Sequence, residues 1–85
     1  MAEVFFTEPG HDDLLGLPDD LQERIKSKLR DVRNDPARLL KALRGYDLHV
    51  LRVGDHRVIL DWDRNEGAVY VHAIGHRRNV YDRDL

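Results

Sequence analysis

Leu48-His49-Val50-Leu51-Arg52-Val53-Gly54-Asp55-His56-Arg57-Val58-Ile59-Leu60-Asp61-Trp62-Asp63 (residues 48–63) is the stretch that decides the fold. Its apolar residues recur with period two, as a half-buried strand requires. Gly54-Asp55 interrupts the pattern and is too short for anything but a hairpin turn. Leu48–Val53 is therefore one strand and Arg57–Asp63 its antiparallel partner. Val58, Leu60 and Trp62 share one face of the second strand; Arg57, Ile59 and Asp61 share the other. Arg64-Asn65-Glu66-Gly67 reads as a second turn, and Ala68–Ile74 as a third strand. Three strands joined by short loops make an antiparallel meander with one face in need of cover.

Upstream, the period changes to that of a helix. Leu21, Ile25, Leu29 and Val32 fall at intervals of four, four and three, one apolar stripe on a helix from Pro18-Asp19-Asp20 to about Arg33. An aspartate is expected to cap its start, and Asn34-Asp35-Pro36 ends it. Arg24, Lys26, Lys28 and Arg30 fall mostly on its other faces. Glu3–Thr7 reads as a short opening strand stopped by Pro9-Gly10, and His11–Leu17 as a short helix ended by Gly16 and Pro18. Residues 37–43 suit a further helical turn or an irregular packed link. The expected fold is α+β: a short N-terminal strand, two helices as a helical hairpin, then the three-stranded meander, with the helices on one face of the sheet. A single domain across residues 1–85 is expected.

With 85 residues, no cysteine and 35% charged side chains, the chain has one small core, no disulfide framework and no cysteine nucleophile. No apolar run approaches the roughly 20 residues that cross a bilayer, and the N-terminus lacks a signal peptide's basic start. No membrane partner and a cytoplasmic location are expected. The net charge of −2 argues against an indiscriminate nucleic-acid binder. Residues 1–35 hold five basic and nine acidic side chains, whereas residues 36–85 hold nine basic and seven acidic. The second half is the one suited to an anionic ligand.

The only serine, Ser27, lies mid-helix, and no HExxH pattern or glycine-rich phosphate loop occurs, so no metal and no cofactor are expected. The Asp12-Asp13 and Asp19-Asp20 steps read as helix-start chemistry. What remains is a set of arginines around the hairpin: Arg52 on the first meander strand, Arg57 at the start of the second, and Arg77 with Tyr81 just past the third. The start of one antiparallel strand lies beside the end of its neighbour, so these residues can converge. Guanidinium groups there would hold a phosphate through forked hydrogen bonds, with Tyr81 or His76 stacking or moving a proton. Spacing alone also allows Arg57 to pair with Asp55, Asp61 or Asp63.

Three segments, Leu43-Arg44-Gly45, Leu51–Leu60 and Gly75-His76-Arg77-Arg78-Asn79-Val80-Tyr81, resemble the RelE/ParE toxin superfamily of toxin–antitoxin modules. Its members show an L-x-G link, an R-x-G-x-[YH]-R-[VI] hairpin and a closing G-[HKR]-R-x-x-x-Y segment, in this order and on chains of this length. The resemblance implies a ribosome-dependent mRNA endonuclease that works without metal: the RNA 2′-hydroxyl attacks the adjacent phosphate and leaves a 2′,3′-cyclic phosphate. It implies catalytic roles for Arg57, Arg77 and Tyr81, with Arg52, Arg44, His49, His76 and Arg78 as RNA-binding residues. The ParE branch implies instead a non-catalytic poison of DNA gyrase, and an inactive member kept for antitoxin binding is a third reading.

The chain departs from the pattern at Val50, where many relatives carry a basic residue, and at His56, in place of the usual tyrosine. A cognate antitoxin is the partner the resemblance implies, in a hetero-oligomer, with ribosome and mRNA as further partners. Leu14, Leu15, Leu39 and Leu40 are a candidate surface for the antitoxin, or else close the ends of the core.

Overall fold

The hairpin forms where the alternation puts it. In the computed structural model, which describes residues 2–43 and 45–76, the order is β1 (Glu3–Phe6), α1 (Glu8–Leu15), α2 (Asp19–Asn34), α3 (Pro36–Leu39), β2 (Lys41–Ala42), β3 (His49–Val53), β4 (His56–Asp63) and β5 (Ala68–His76). Gly54 turns the chain with φ +60°, and Asp55 stays at negative φ, the pattern of a type II′ hairpin turn. In the second turn Asp63 accepts hydrogen bonds from the backbone of Asn65 (3.0 Å) and Glu66 (3.1 Å), and Gly67 takes the left-handed position at φ +66°.

The meander is the centre of a larger sheet. Five strands lie in the order β1-β5-β4-β3-β2, with β1 parallel to β5 and all other pairs antiparallel. Residues 37–43 thus supply one helical turn, α3, and a two-residue edge strand. Between β4 and β5 the register passes from Ile59↔Ala73 to Leu60↔Val71, so His72 is the extra residue of a β-bulge. The bulge lets Val69, Val71 and Ile74 all serve the core, although their numbers break the alternation.

Ile25, Leu29 and Val32 of α2 pack with Leu51, Val53, Val58, Leu60, Val69, Val71 and Ile74 in one cluster that also holds Ala2, Leu14 and Leu40. Ile25, Val32, Val58, Leu60, Val69 and Val71 are completely buried, each contributing about 1.5–3 kcal/mol of transfer free energy. The opposite face buries a smaller group, Val50, Ile59 and Ala73, against Leu48. Face one is therefore the helix side, and face two carries the side chains of Arg52 and Arg57.

Both helix starts differ from the sequence expectation. α1 begins at Glu8, not His11, because Thr7 caps it: its Oγ1 accepts from Gly10 N at 3.2 Å, and Pro9 sits in the first turn, where a missing N–H costs nothing. At α2 the N-cap is Pro18, without a side-chain bond. Asp19 and Asp20 fall inside the first turn and act through the helix dipole instead of capping. The two helices rest on the sheet more than on each other, α1 on β5 and β1, α2 on β1 and β3.

α1 lies along the half of β5 that β1 does not reach. Thr7 N and Oγ1 both donate to the Val71 carbonyl at 3.0 Å, and Asp13 Oδ2 accepts from Ile74 N at 2.9 Å. Asp13 is thus a bond across the fold, not helix-start chemistry. Gly10 permits the contact: a Cβ there would overlap the Val71 carbonyl oxygen.

Candidate anion site at the β3–β4 turn

Arg52 and Arg57 are direct cross-strand partners in β3 and β4, so their side chains rise from the same face as neighbours. Like charges placed opposite each other weaken a sheet. Arg57 is also 8% exposed, the one charged residue among the buried ones that are described. Its Nη1 donates to the carbonyls of His56 (3.2 Å) and Gly54 (3.4 Å), which orients the guanidinium. No carboxylate neutralises either arginine among the described residues, whose ion pairs are Lys26–Glu23 and Arg38–Asp35. The aspartates that spacing offered to Arg57 are not used for it; Asp63, for instance, holds the turn that follows β4. The cost of two adjacent, uncompensated cations is offset if an anion binds them.

β5 delivers its end to the same place. Gly75 pairs with Arg57 and His76 with His56, so the last described residues of β5 lie beside the start of β4. Arg77, Arg78 and Tyr81 lie outside the described residues, as does Arg44. His49, His56 and His76 stand on the helix side of their strands. His76 faces His56, with ring centroids 5.9 Å apart, and His49 packs edge-on against Trp62 at 5.5 Å. His49 therefore does not join the arginines. Its Nδ1 is buried without a hydrogen-bond partner among the described residues. His72 and His76 stand four apart, a spacing that ligates metal on a helix, but in a strand it separates them by about 13 Å.

The four leucines of the docking expectation divide. Leu14 and Leu40 belong to the core, at 3% and 6% exposure, because α1 and the α3–β2 link fold over the sheet. Leu39 is half-buried against that core, and Leu15 alone is well exposed, at 59%. At the other end of the sheet, Phe5 stacks on Tyr70 (5.6 Å) and the Arg64 guanidinium covers the Trp62 ring at 4.1 Å. Partial burial, then Glu66, which accepts the Tyr70 hydroxyl at 3.3 Å, and more weakly Asp63 and Asp61, raise the Tyr70 pKa above the ordinary tyrosine value.

Two residues that the sequence reading passed over also reach the turn. Arg24 and Lys28 of α2 line a cleft against Val53 and Gly54. Their signal was the four-residue spacing of two cations on one flank of the apolar stripe, hidden when charge was counted by halves of the chain.

The fold recurs in solved structures. A chain of the toxin–antitoxin complex RelBE2 from Mycobacterium tuberculosis superposes with a TM-score of 0.83 at 25% identity, covering 89% of this chain and 98% of that one. The isolated Escherichia coli RelE toxin gives 0.77 at 22% identity, over 98% and 94% of the two chains. A YoeB/ParE toxin from Agrobacterium tumefaciens gives 0.73 at 18% identity, over 88% and 98%. No curated protein matches the chain by sequence. The family model for the ParE toxin of type II toxin–antitoxin systems matches residues 4–81, nearly the whole length. The three motifs, the sheet and this match together make the chain a member of the RelE/ParE toxin superfamily.

Proposed function

We propose that this toxin is a metal-free endoribonuclease that cuts mRNA on the ribosome and so arrests translation, acting as one domain in the cytoplasm and held in check by a cognate antitoxin. The observation that carries the reading is the unneutralised Arg52–Arg57 pair, with Arg57 buried and its guanidinium oriented by two carbonyls. Arginine stays protonated, so it serves as a fixed positive charge and not as a base. In the reaction the 2′-oxygen forms a bond to the adjacent phosphorus, the bond from phosphorus to the 5′-oxygen breaks, and a cyclic phosphate remains. The 2′-hydroxyl loses a proton and the departing oxygen gains one; Tyr81 is the candidate for those transfers, since His76, the other expected group, stands beside His56 on the face opposite the arginines. Between the two, the phosphorane carries extra negative charge, and a preoriented guanidinium in a partly dry site stabilises it more than it stabilises the substrate. Arg52 adds to that field, and Arg77 is assigned to the same transition state.

A second reading, a non-catalytic gyrase poison, is favoured by the ParE family model itself. Both are tested by mapping message ends on programmed ribosomes in the presence of purified toxin, beside a gyrase supercoiling assay. The expected result is cut message with unimpaired gyrase. Arg57→Ala should slow cutting by about 10²–10³-fold, the usual effect of removing one such donor. Intact message with inhibited gyrase, or cutting that survives Arg57→Ala, overturns the reading.

A further inference from the structure

All five basic residues of the first 35 lie between Arg24 and Arg33, where Asp31 is the one acid, so the acidic half of the chain contains a basic helix segment. The apolar stripe of α2 divides these cations into two flanks. Lys26, Arg30 and Arg33 border a groove toward β1, floored by Val4, Phe6 and Leu29. Arg24 and Lys28 face the opposite way, into a cleft of about 370 Å³ whose other walls are Ser27, Asp31, Val53 and Gly54.

Gly54 lies between this flank and the arginine site. The Arg24 Nη2 lies 3.3 Å from the point a Gly54 Cβ would occupy, and on the other side the Gly54 carbonyl accepts from Arg57 Nη1 at 3.4 Å. The same turn residue is thus touched by two guanidinium groups from opposite faces of the sheet. Like Arg52 and Arg57, Arg24 and Lys28 form a like-charge pair, four apart on a helix and mildly destabilising. Asp20, four residues before Arg24, has the spacing to neutralise it, yet the ion pairs among the described residues include neither cation.

We infer that the cleft between α2 and the β3–β4 turn, lined by Arg24, Lys28, the Ser27 hydroxyl, Asp31, Val53 and Gly54, with two cations against one carboxylate, is a second phosphodiester site, through which an RNA strand bound at Arg52 and Arg57 continues around the turn. The site takes backbone phosphate without reading bases, because its donors are two long cations and a hydroxyl. It gives a chain of net charge −2 a local hold on RNA. The inference rests on the reading of the ligand as RNA, and its test separates the two.

The experiment is binding of a fluorescein-labelled single-stranded RNA oligonucleotide to the full chain, followed by anisotropy across a salt series. Each lost phosphate contact lowers the slope of log K against log salt by about 0.7. Arg24→Gln/Lys28→Gln should lower it by about 1.4, whereas Lys26→Gln/Arg30→Gln, which removes the same charge from the other flank, should leave it unchanged. Ser27→Glu, exposed in the same cleft, provides a second variant and should also weaken binding with a reduced slope. Equal losses from both double variants, an unchanged slope with Arg24→Gln/Lys28→Gln, or tighter binding of duplex DNA than of RNA overturns the inference. If the wild type leaves message uncut while the slopes behave as stated, the ribonuclease reading fails and the site stands. If it cuts message while the slopes do not move, the reverse holds.

Discussion

Asp13→Ala removes the acceptor that α1 offers to the backbone of β5. The Asp13 Oδ2–Ile74 N bond is 2.9 Å long and partly buried, and it joins residues 61 apart in sequence. Ile74 lies in the half of β5 beyond Ala68–Val71, the residues that pair with β1, so α1 covers this stretch in place of a strand. A hydrogen bond to a charged group contributes about 1.5–3 kcal/mol, and an orphaned, partly buried N–H costs in the same range, so a loss of about 2 kcal/mol is expected. An 85-residue chain has an unfolding entropy of roughly 180 cal/mol/K, which converts that loss to a fall in Tm of about 11 °C. The assay is thermal unfolding by circular dichroism, paired with hydrogen exchange at the Ile74 amide, which should lose protection. Asp13→Asn keeps an acceptor oxygen in place and should recover more than half of the loss. A fall below about 3 °C for Asp13→Ala, or an Ile74 amide that stays protected, would refute the assignment of this bond as the mooring of α1.

Gly10→Ala should destabilise by about 1–3 kcal/mol, since its methyl meets the Val71 carbonyl and α1 must lift from β5 to admit it; denaturant unfolding measures this. Ile25→Ala, in the fully buried stripe of α2, should cost about 2–5 kcal/mol in the same assay. In a spectrophotometric titration of the tyrosines, Tyr70 should ionise above the ordinary value, and Glu66→Gln should bring it down. Because the folded-state pKa is the higher one, the unfolded chain releases this proton first as pH passes about 10. Stability linked to Tyr70 is therefore intact at neutral pH and falls as pH rises through that range.

The meander and the stripe of α2 were legible because each repeats a short-range period, and Gly54 marks the turn where the period is interrupted. The pairing of β1 with β5 was not. A four-residue strand carries no signal for a partner more than sixty residues away, so a three-stranded meander was expected where five strands form one sheet. Asp13 was misread because an Asp-Asp step near a helix start looks the same whether it caps the helix or reaches across the fold. Within the site, the adjacency of Arg52 and Arg57 follows from hairpin register and could be read directly. His49 could not be placed without counting faces: three residues before Arg52, it falls on the opposite side of the sheet. Arg24 and Lys28 escaped because charge was summed along the chain, whereas the flanks of a helix are separated by angle.

The parallel pairing of β1 with β5 also orders events during synthesis. Phe6 meets Val71, and Thr7 donates to the Val71 carbonyl, so the first strand waits for almost the last described one. The β3–β4 hairpin closes over two residues and needs no such delay. On a ribosome the arginine-bearing hairpin can form as soon as it emerges, while β1 and α1 stay unmoored until residues 68–74 are made. The docking of β1 and α1 therefore follows the synthesis of residues 68–74, and until then the nascent toxin exposes the apolar residues of these two elements that later close the sheet.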